Sequence, residues 1–270
     1  MKPFAQILAL LAACCIWPAV AAGPAAETLA GQEILERNHI TSKVIDSSSD
    51  ISMILTSKSG QERSRKLLSL TKLRANASDN MRVLRFRFPA DVKGTVTLLV
   101  EQSGRDDDMW IYLPALKKSR RLVSNNKRDA FVGSDFSFGD ILGHKPENWI
   151  AKIVRDDAIA GRPVYVVEAM PKTEQVKAND GYSKRFLWIA KDTFVALRTD
   201  YWDDSGEFLK SIVASDVRLV DPARQKYQFM RAECENKQTG HKTVLMIENF
   251  RANVNLQDDI FTTRYMEKEE

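Results

Sequence analysis

Alternation of apolar and polar side chains is the feature of this sequence that most constrains its fold. From Asp50 to Val254 the period is two residues for most of the chain, interrupted by short turns rich in Asp, Asn and Gly. A period of two places successive side chains on opposite faces of an extended strand, and short turns join antiparallel strands. The pattern therefore predicts a mainly β (α+β) protein built on one large antiparallel sheet.

The alternating segments amount to about eleven strands, nearly all joined by short turns. We interpret them as one continuous meander. A meander of that length twists and curls rather than staying flat, and an apolar face turned inwards makes a half-open β-barrel. No linker-like or low-complexity tract divides the chain, so a single domain is predicted.

Two segments outside the sheet have helical character. Residues 25–40 place Leu29, Ile34 and Leu35 near one face at helical spacing, with charged side chains elsewhere. Residues 131–142 include a helical turn that Ser134 or Asp135 is expected to cap. We predict that these two segments form a lid over the mouth of the half-barrel.

The segment from Asp106 to Asp140 organises the middle of the chain. Its three opening carboxylates, Asp106 to Asp108, are expected in a solvated turn. An aromatic strand, a corner at Pro114 and a basic return strand follow, which is the pattern of a hairpin. This segment resembles the outer membrane lipoprotein-sorting protein family through its runs WIYLPALKKSRRL and DAFVGSDFSFGDI. With FPADVKGTVTLLV upstream, the resemblance extends over residues 27–265.

The resemblance implies a fold and a function. Proteins of that family are periplasmic and are related to the LolA and LolB lipoprotein carriers, so it implies an incomplete barrel with a helical lid over an apolar cavity. Lipid or lipoprotein acyl chains would be the cargo, held by burial at about 0.8 kcal/mol per CH₂. It also implies, as partner, an inner-membrane lipid exporter of the resistance-nodulation-division type. The alternative is a non-catalytic docking or scaffold module for such an exporter, with a filled core.

Aromatic and apolar side chains are the candidate ligand contacts. In a half-open sheet some inward residues line a cavity, whereas in a closed one they are core, and the sequence does not distinguish these cases. The predicted cavity and lid residues are Leu29, Ile34, Trp110, Tyr112, Phe131, Phe136, Phe138 and Trp149.

A basic cluster lies on the return strand of the hairpin and consists of Lys117, Lys118, Arg120 and Arg121. Alternation puts Lys118 and Arg120 on one face and the other two on the opposite face. Since such a strand cannot bury both faces, we predict an edge strand or one that projects past the sheet. Its charge either prevents edge-to-edge aggregation or contacts anionic headgroups or an acidic partner.

Catalytic and metal chemistry have little support in the residues. The histidines, His39, His144 and His241, are scattered, and no two lie at ligand spacing. Ser134 follows a glycine but lacks the second glycine of a nucleophile elbow, so a hydrolase is the third alternative. We therefore predict a binding protein without metal or other cofactor, not an enzyme.

Residues 1–22 have the pattern of a secretory signal. Lys2 precedes an apolar run, residues 4–16, that is too short to span a bilayer, and small residues end it before Ala22. Removal of the signal leaves residues 23–270 as one periplasmic domain, which we predict to be monomeric.

An alternative leader chemistry involves Cys14. The run ending at Cys14 has the residue types of a lipoprotein cleavage box, which would anchor the protein through a lipid. Cleavage at Ala22 instead leaves Cys234 as the one cysteine, so no intramolecular disulfide is expected. The formal net charge of +4, or +3 without Lys2, forms no dense basic stripe, and nucleic-acid binding is not predicted.

Overall fold

The computed structural model describes residues 30–268, and β structure dominates them. The strands are β1 Asp46–Thr56, β2 Glu62–Leu73, β3 Asn80–Phe88, β4 Val96–Val100, β5 Asp108–Leu113, β6 Lys118–Leu122, β7 Trp149–Ile159, β8 Arg162–Pro171, β9 Tyr182–Ala190, β10 Ala196–Asp203, β11 Phe208–Asp221, β12 Lys226–Asn236 and β13 Lys242–Ala252. All thirteen belong to one sheet, in the order β6-β5-β4-β3-β2-β1-β13-β12-β11-β10-β9-β8-β7.

Two meanders make up this sheet. Strands β1 to β6 follow one another to one edge, and β13 back to β7 follow one another to the other edge. The first and last strands pair antiparallel in the middle, with Ile51 opposite Ile247. The mainly antiparallel fold is as predicted and the sheet is not closed, but a single continuous meander is wrong. The count of eleven is also too low, because the sheet has thirteen strands.

The connection between the two edge strands, residues 123–148, crosses the sheet, and we call it the crossover. It contains the 3-10 turns Ser124–Arg128, Phe131–Gly133 and Pro146–Asn148 and the helix α2, Phe138–Leu142. Phe131 and Phe138 of the crossover pack in one core with Met53, Leu84 and Leu245 from the middle of the sheet. The crossover therefore covers one face of the sheet, which we call the inner face.

Helix α2 begins later than predicted. Its cap is Ser137, whose Oγ accepts a hydrogen bond from the Asp140 N–H at 3.1 Å. The Asp140 carboxylate accepts in return from the Ser137 N–H at 2.8 Å, which completes a capping box. A cap at Ser134 or Asp135 is wrong, because Ser134 closes the preceding 3-10 turn and donates its hydroxyl to the Phe131 carbonyl.

The N-terminal helix α1 spans Gly31–Thr41. The part of the predicted helix before residue 30, with Leu29, lies outside the described residues. Ile34 and Leu35 are buried against the second meander, in one core with Trp149. A Cβ on Gly31 would lie 2.6 Å from the Lys152 Cα, so a side chain there would push the start of α1 away from β7.

The segment after β13 returns across the outer face of the first meander. It contains the helix α4, Thr263–Met266, and buries Phe261 and Met266 against Val83, Val96 and Leu98. This outer core was not predicted, nor was helix α3, Glu174–Asp180. None of the helices between residues 30 and 268 is both long and apolar enough to cross a membrane.

Candidate ligand-binding site

A cavity of about 340 Å³ lies between the inner face of the sheet and the crossover. That volume falls within the usual range of small-molecule pockets, about 300–1,000 Å³. Met53 and Leu67 line it from the first meander, Leu187 from the second, and Leu142 from the crossover. Leu35 of α1 also borders it. The interior of the sheet therefore encloses space and is not completely filled by side chains.

The predicted ligand contacts are only partly brought together. Phe131 and Phe136 line the cavity, as expected of lid residues. Ile34, Phe138 and Trp149 are buried in the neighbouring cores instead, where they support the walls without lining them.

Trp110 and Tyr112 lie on the wrong side of the sheet for a cavity role. Met109 packs under the crossover, so alternation along β5 turns Trp110 and Tyr112 to the outer face. There they pack against the outer core that the C-terminal segment covers. Their assignment to the cavity is corrected by this geometry.

The basic cluster lies on an edge strand, as predicted. Lys118, Arg120 and Arg121 belong to β6, the first strand of the sheet order, and are exposed. Lys117 is not part of the strand, because it occupies the turn before it with φ 47°. Arg121 is paired with Asp108 at 2.6 Å, so part of the positive charge is neutralised within the chain. Contact with a partner or membrane stays a prediction.

The expectation of three solvated carboxylates is wrong for Asp107. This side chain is buried and pairs with Lys127 and Lys145, each at 2.6 Å. Both lysines belong to the crossover, so Asp107 ties the crossover to the loop before β5. The pattern of three adjacent aspartates carries no signal for this, since the partners lie 20 and 38 residues away in the sequence.

Asp140 of α2 is the centre of a buried polar network beside the cavity. Its carboxylate lies 2.6 Å from Lys210 Nζ, 3.0 Å from the Tyr182 hydroxyl and 3.4 Å from His144 Nε2. Burial favours the neutral acid, but Lys210 and His144 outweigh it and hold the pKa of Asp140 below its usual range. The network is therefore an ion pair with hydrogen-bonded neighbours, and it joins α2 to β9 and β11.

A second buried ion pair borders the cavity near α1. Lys43 Nζ lies 2.5 Å from the Glu101 carboxylate and 2.9 Å from His39 Nε2. Burial raises the pKa of Glu101 although Lys43 opposes the shift, and burial with Lys43 lowers the pKa of His39 to about 3. The cavity is thus lined by apolar side chains together with polar and charged ones, a combination suited to an amphipathic ligand.

Arginine side chains hold the crossover to the sheet. Arg65 of β2 donates a hydrogen bond to the Val132 carbonyl, and Arg82 of β3 donates to the Ile141 carbonyl. On the other side, the Thr243 hydroxyl of β13 donates to Asp135 at 2.6 Å. These contacts involve side chains and not a strand ladder, so they hold the crossover without adding to the backbone pairing of the sheet.

Metal binding and cysteine chemistry gain no support from the described part of the chain. Between residues 30 and 268, no three His, Cys, Asp or Glu side chains are grouped as metal ligands. Burial raises the pKa of the Cys234 thiol, which leaves it protonated and unreactive at neutral pH. The predictions of no cofactor and no enzyme activity stay predictions.

Known proteins that resemble this chain were found in two of three comparisons. A family model described as an uncharacterized protein family matches residues 78–268. An outer membrane lipoprotein-sorting protein domain from Vibrio parahaemolyticus is 26% identical, with a TM-score of 0.80, over 88% of this chain and 98% of that one. A search of curated proteins finds no match.

Two further solved structures share the fold. A protein of a family of unknown function from Desulfovibrio piger is 27% identical, with a TM-score of 0.80, over 87% of this chain and 97% of that one. A LolA superfamily protein from Nitrosomonas europaea is 20% identical, with a TM-score of 0.68, over 88% of this chain and all of that one. The predicted resemblance to lipoprotein-sorting proteins is confirmed, and the fold is LolA-like.

Proposed function

We propose that this chain, which belongs to the uncharacterized protein family matched over residues 78–268, is a periplasmic carrier of lipid or lipoprotein acyl chains. The observation that carries the proposal is the cavity of about 340 Å³ under the crossover. Its apolar walls would retain an acyl chain at about 0.8 kcal/mol per buried CH₂, without a covalent step. A relative named for outer membrane lipoprotein sorting supports the same class of cargo.

In this proposal the crossover and α1 act as the movable lid. Cargo enters when the crossover separates from the inner face, which requires the bonds from Arg65 and Arg82 to the crossover carbonyls to open. The ion pairs that Asp107 and Asp140 make between the crossover and the rest of the chain must open as well. A partner promotes release only if it binds the open state more tightly than the closed one. An exporter of the resistance-nodulation-division type as that partner stays a prediction from the resemblance.

Export of the chain is part of the proposal. Residues 1–22 act as a cleaved signal and residues 23–270 as the mature domain, with lipidation at Cys14 as the alternative. The cleaved signal and Cys14 lie before the first described residue. Intact-mass measurement of the protein from a detergent extract of whole cells distinguishes a chain that begins at Gly23 from one that begins with a lipidated Cys14.

The surface around β6 favours a second candidate, the docking module. Leu116 and Val123, which flank the basic edge strand, are 64% and 66% exposed. An edge strand with exposed apolar ends and basic side chains suits a partner that adds a strand or presents an acidic surface. In this alternative no lipid is carried, and the cavity has no role in binding the partner.

Binding of a hydrophobic fluorescent probe by the native protein tests the carrier. The wild type should bind the probe, and oleate should displace it. Ala232→Phe fills the cavity from β12 and should reduce probe affinity at least about tenfold, a loss of about 1.4 kcal/mol. The matched control is Ala158→Phe, on an exposed site of β7, which should bind as the wild type does.

Native mass spectrometry of the same preparation identifies any co-purifying lipid. A wild type that excludes both probe and lipid would contradict the carrier and leave the docking module in the lead. An unchanged affinity in Ala232→Phe would show that the probe binds elsewhere.

A further inference from the structure

Arg185 on β9 is a buried cation that lines the cavity. Arg185 is 3% exposed and lines the cavity. Its guanidinium stacks on the Trp149 ring, with 3.9 Å between Cζ and the ring centroid. Neither Nε nor Nη2 has a hydrogen-bond partner within residues 30–268. A buried guanidinium keeps its charge, so donors without partners carry a large desolvation cost. A ligand that accepts hydrogen bonds from Nε and Nη2 would remove this cost.

The nearby carboxylates are committed to other cations. Asp140 pairs with Lys210 at 2.6 Å, and Asp180 accepts from His144 Nδ1 at 3.1 Å. Neither contacts the two free donors of Arg185. A ligand in the cavity would therefore meet a positive group whose charge is not neutralised by a direct ion pair.

An arginine on the neighbouring strand β10 uses the Nε and Nη2 edge of its guanidinium to bind a carboxylate. Arg198 on β10 also stacks on a tryptophan, Trp188, at 4.8 Å. Its Nε and Nη2 donate to the two oxygens of the Asp200 carboxylate at 2.8 and 2.7 Å. Arg185 is also stacked on a tryptophan and lines the cavity, but no aspartate accepts from its Nε and Nη2.

We propose that Arg185 binds the anionic headgroup, a carboxylate or phosphate, of an amphiphile whose acyl chain occupies the apolar part of the cavity. The inference rests on the proposed carrier function and specifies its cargo. Stacking on Trp149 uses the face of the guanidinium and leaves the Nε and Nη2 edge for a bidentate contact, the geometry that suits carboxylate and phosphate.

The test compares ligands that share a chain and differ in headgroup. Affinities of oleate and oleyl alcohol are measured by displacement of the fluorescent probe, and the second pair is 1-oleoyl lysophosphatidic acid and mono-oleoylglycerol. The wild type should prefer the anion of at least one pair by about tenfold or more, as expected for a charge-assisted hydrogen bond. The preferred pair identifies carboxylate or phosphate as the headgroup.

Arg185→Met keeps an unbranched side chain without the charge. It should abolish the preference for the anion and leave oleyl alcohol affinity within about twofold of the wild type. Arg198→Met, the stacked arginine outside the cavity, is the matched control and should keep the preference. If Arg185→Met does not fold, Arg185→Gln replaces it, and the wild-type comparison is decisive without either variant.

A spectroscopic readout separates direct contact from a structural role. The carboxyl carbon of ¹³C-labelled oleate should titrate at a lower pH when bound to the wild type than when bound to Arg185→Met, because the guanidinium stabilises the anion. Equal wild-type affinity for both members of each pair overturns the inference but leaves the carrier intact. Where oleate is the preferred anion, unchanged titration in the variant does the same. Binding of none of the four ligands overturns both.

Discussion

At the scale of single residues, Asp140 connects the lid to the sheet. The same carboxylate caps α2, pairs with Lys210 of β11 and accepts from Tyr182 of β9. Its contacts therefore couple the position of α2 to two strands of the second meander. A buried carboxylate of this kind is stabilised only while all of its hydrogen-bond and ion-pair partners are present.

Asp140→Asn should destabilise the protein by about 3–5 kcal/mol, because it leaves Lys210 buried without a counter-charge. Urea denaturation measures the free energy of unfolding. Asp204→Asn, which removes an exposed pair with Arg128, is the control and should change it by less than about 0.5 kcal/mol. Equal effects of the two variants would show that the buried pair contributes little. Asp140→Asn combined with Lys210→Met should recover part of the loss.

His39 makes stability depend on pH. Burial and Lys43 lower its pKa from 6.5 to about 3, so between these values the unfolded chain binds a proton that the folded chain does not. The free energy of unfolding should therefore fall as pH falls below 6.5, by up to about 1.4 kcal/mol per pH unit from this group. Above pH 6.5 the contribution is constant.

His39→Gln should remove this slope between pH 6.5 and 5, a window that lies above the pKa values of ordinary carboxylates. Denaturation at pH 7, 6 and 5 measures it in the variant and the wild type. His241→Gln, at an exposed turn position, should keep the wild-type slope. A slope in His39→Gln as steep as that of the wild type would contradict the assignment.

At the scale of elements, the crossover is held to the strands it covers by side-chain contacts and not by a backbone ladder. Arg65→Met removes one charge-assisted bond to the Val132 carbonyl and leaves the ladder of β2 intact. Such a bond contributes about 1.5–3 kcal/mol, so the open crossover should become at least about tenfold more populated. Dissociation of the bound probe should accelerate accordingly, as measured by stopped-flow fluorescence.

Arg63→Met is the control for this variant, since Arg63 is exposed on the same strand. It should leave the dissociation rate unchanged. Hydrogen exchange at residues 131–136 should rise in Arg65→Met but not in Arg63→Met. Unaltered dissociation in Arg65→Met would indicate that the crossover does not gate the cavity.

At the scale of the whole molecule, the pairing of β1 with β13 joins the two meanders into one body. The ladder runs from Ser47 opposite Ala252 to Thr56 opposite Lys242, and the inner core draws side chains from both meanders. Unfolding one meander would expose the inner core of the other, so cooperative loss of both is expected.

Thermal or urea unfolding should therefore show one transition. Far-ultraviolet circular dichroism reports on all strands, and tryptophan fluorescence reports mainly on the second meander, where Trp149, Trp188 and Trp202 lie. The two signals should give the same midpoint. Separated midpoints would contradict the single domain proposed for residues 23–270.

The sequence by itself determined the local features of this protein. Alternation located the strands, because a period of two is a property of neighbouring residues. It also predicted a basic strand over residues 116–124 as an edge, which the structure shows as β6, Lys118–Leu122. The hairpin motif and its resemblance also depend on contiguous residues, and they led to the LolA-like fold. Phe131 and Phe136, which belong to the same segment, line the cavity, and their contact with a ligand stays a prediction.

Only the tertiary structure decided which face each strand turns to the cavity. Alternation separates the two faces of a strand but does not show which face is turned to the cavity. In the first meander both faces are buried, one by the crossover and one by the C-terminal segment. Trp110 and Tyr112 were therefore misassigned, and Asp107 was misread as solvated. The one signal for Arg185 was a basic residue inside an apolar strand, but its unpaired donors depend on strands distant in sequence. Contacts of that range arise only when the two meanders pair and the crossover closes over them.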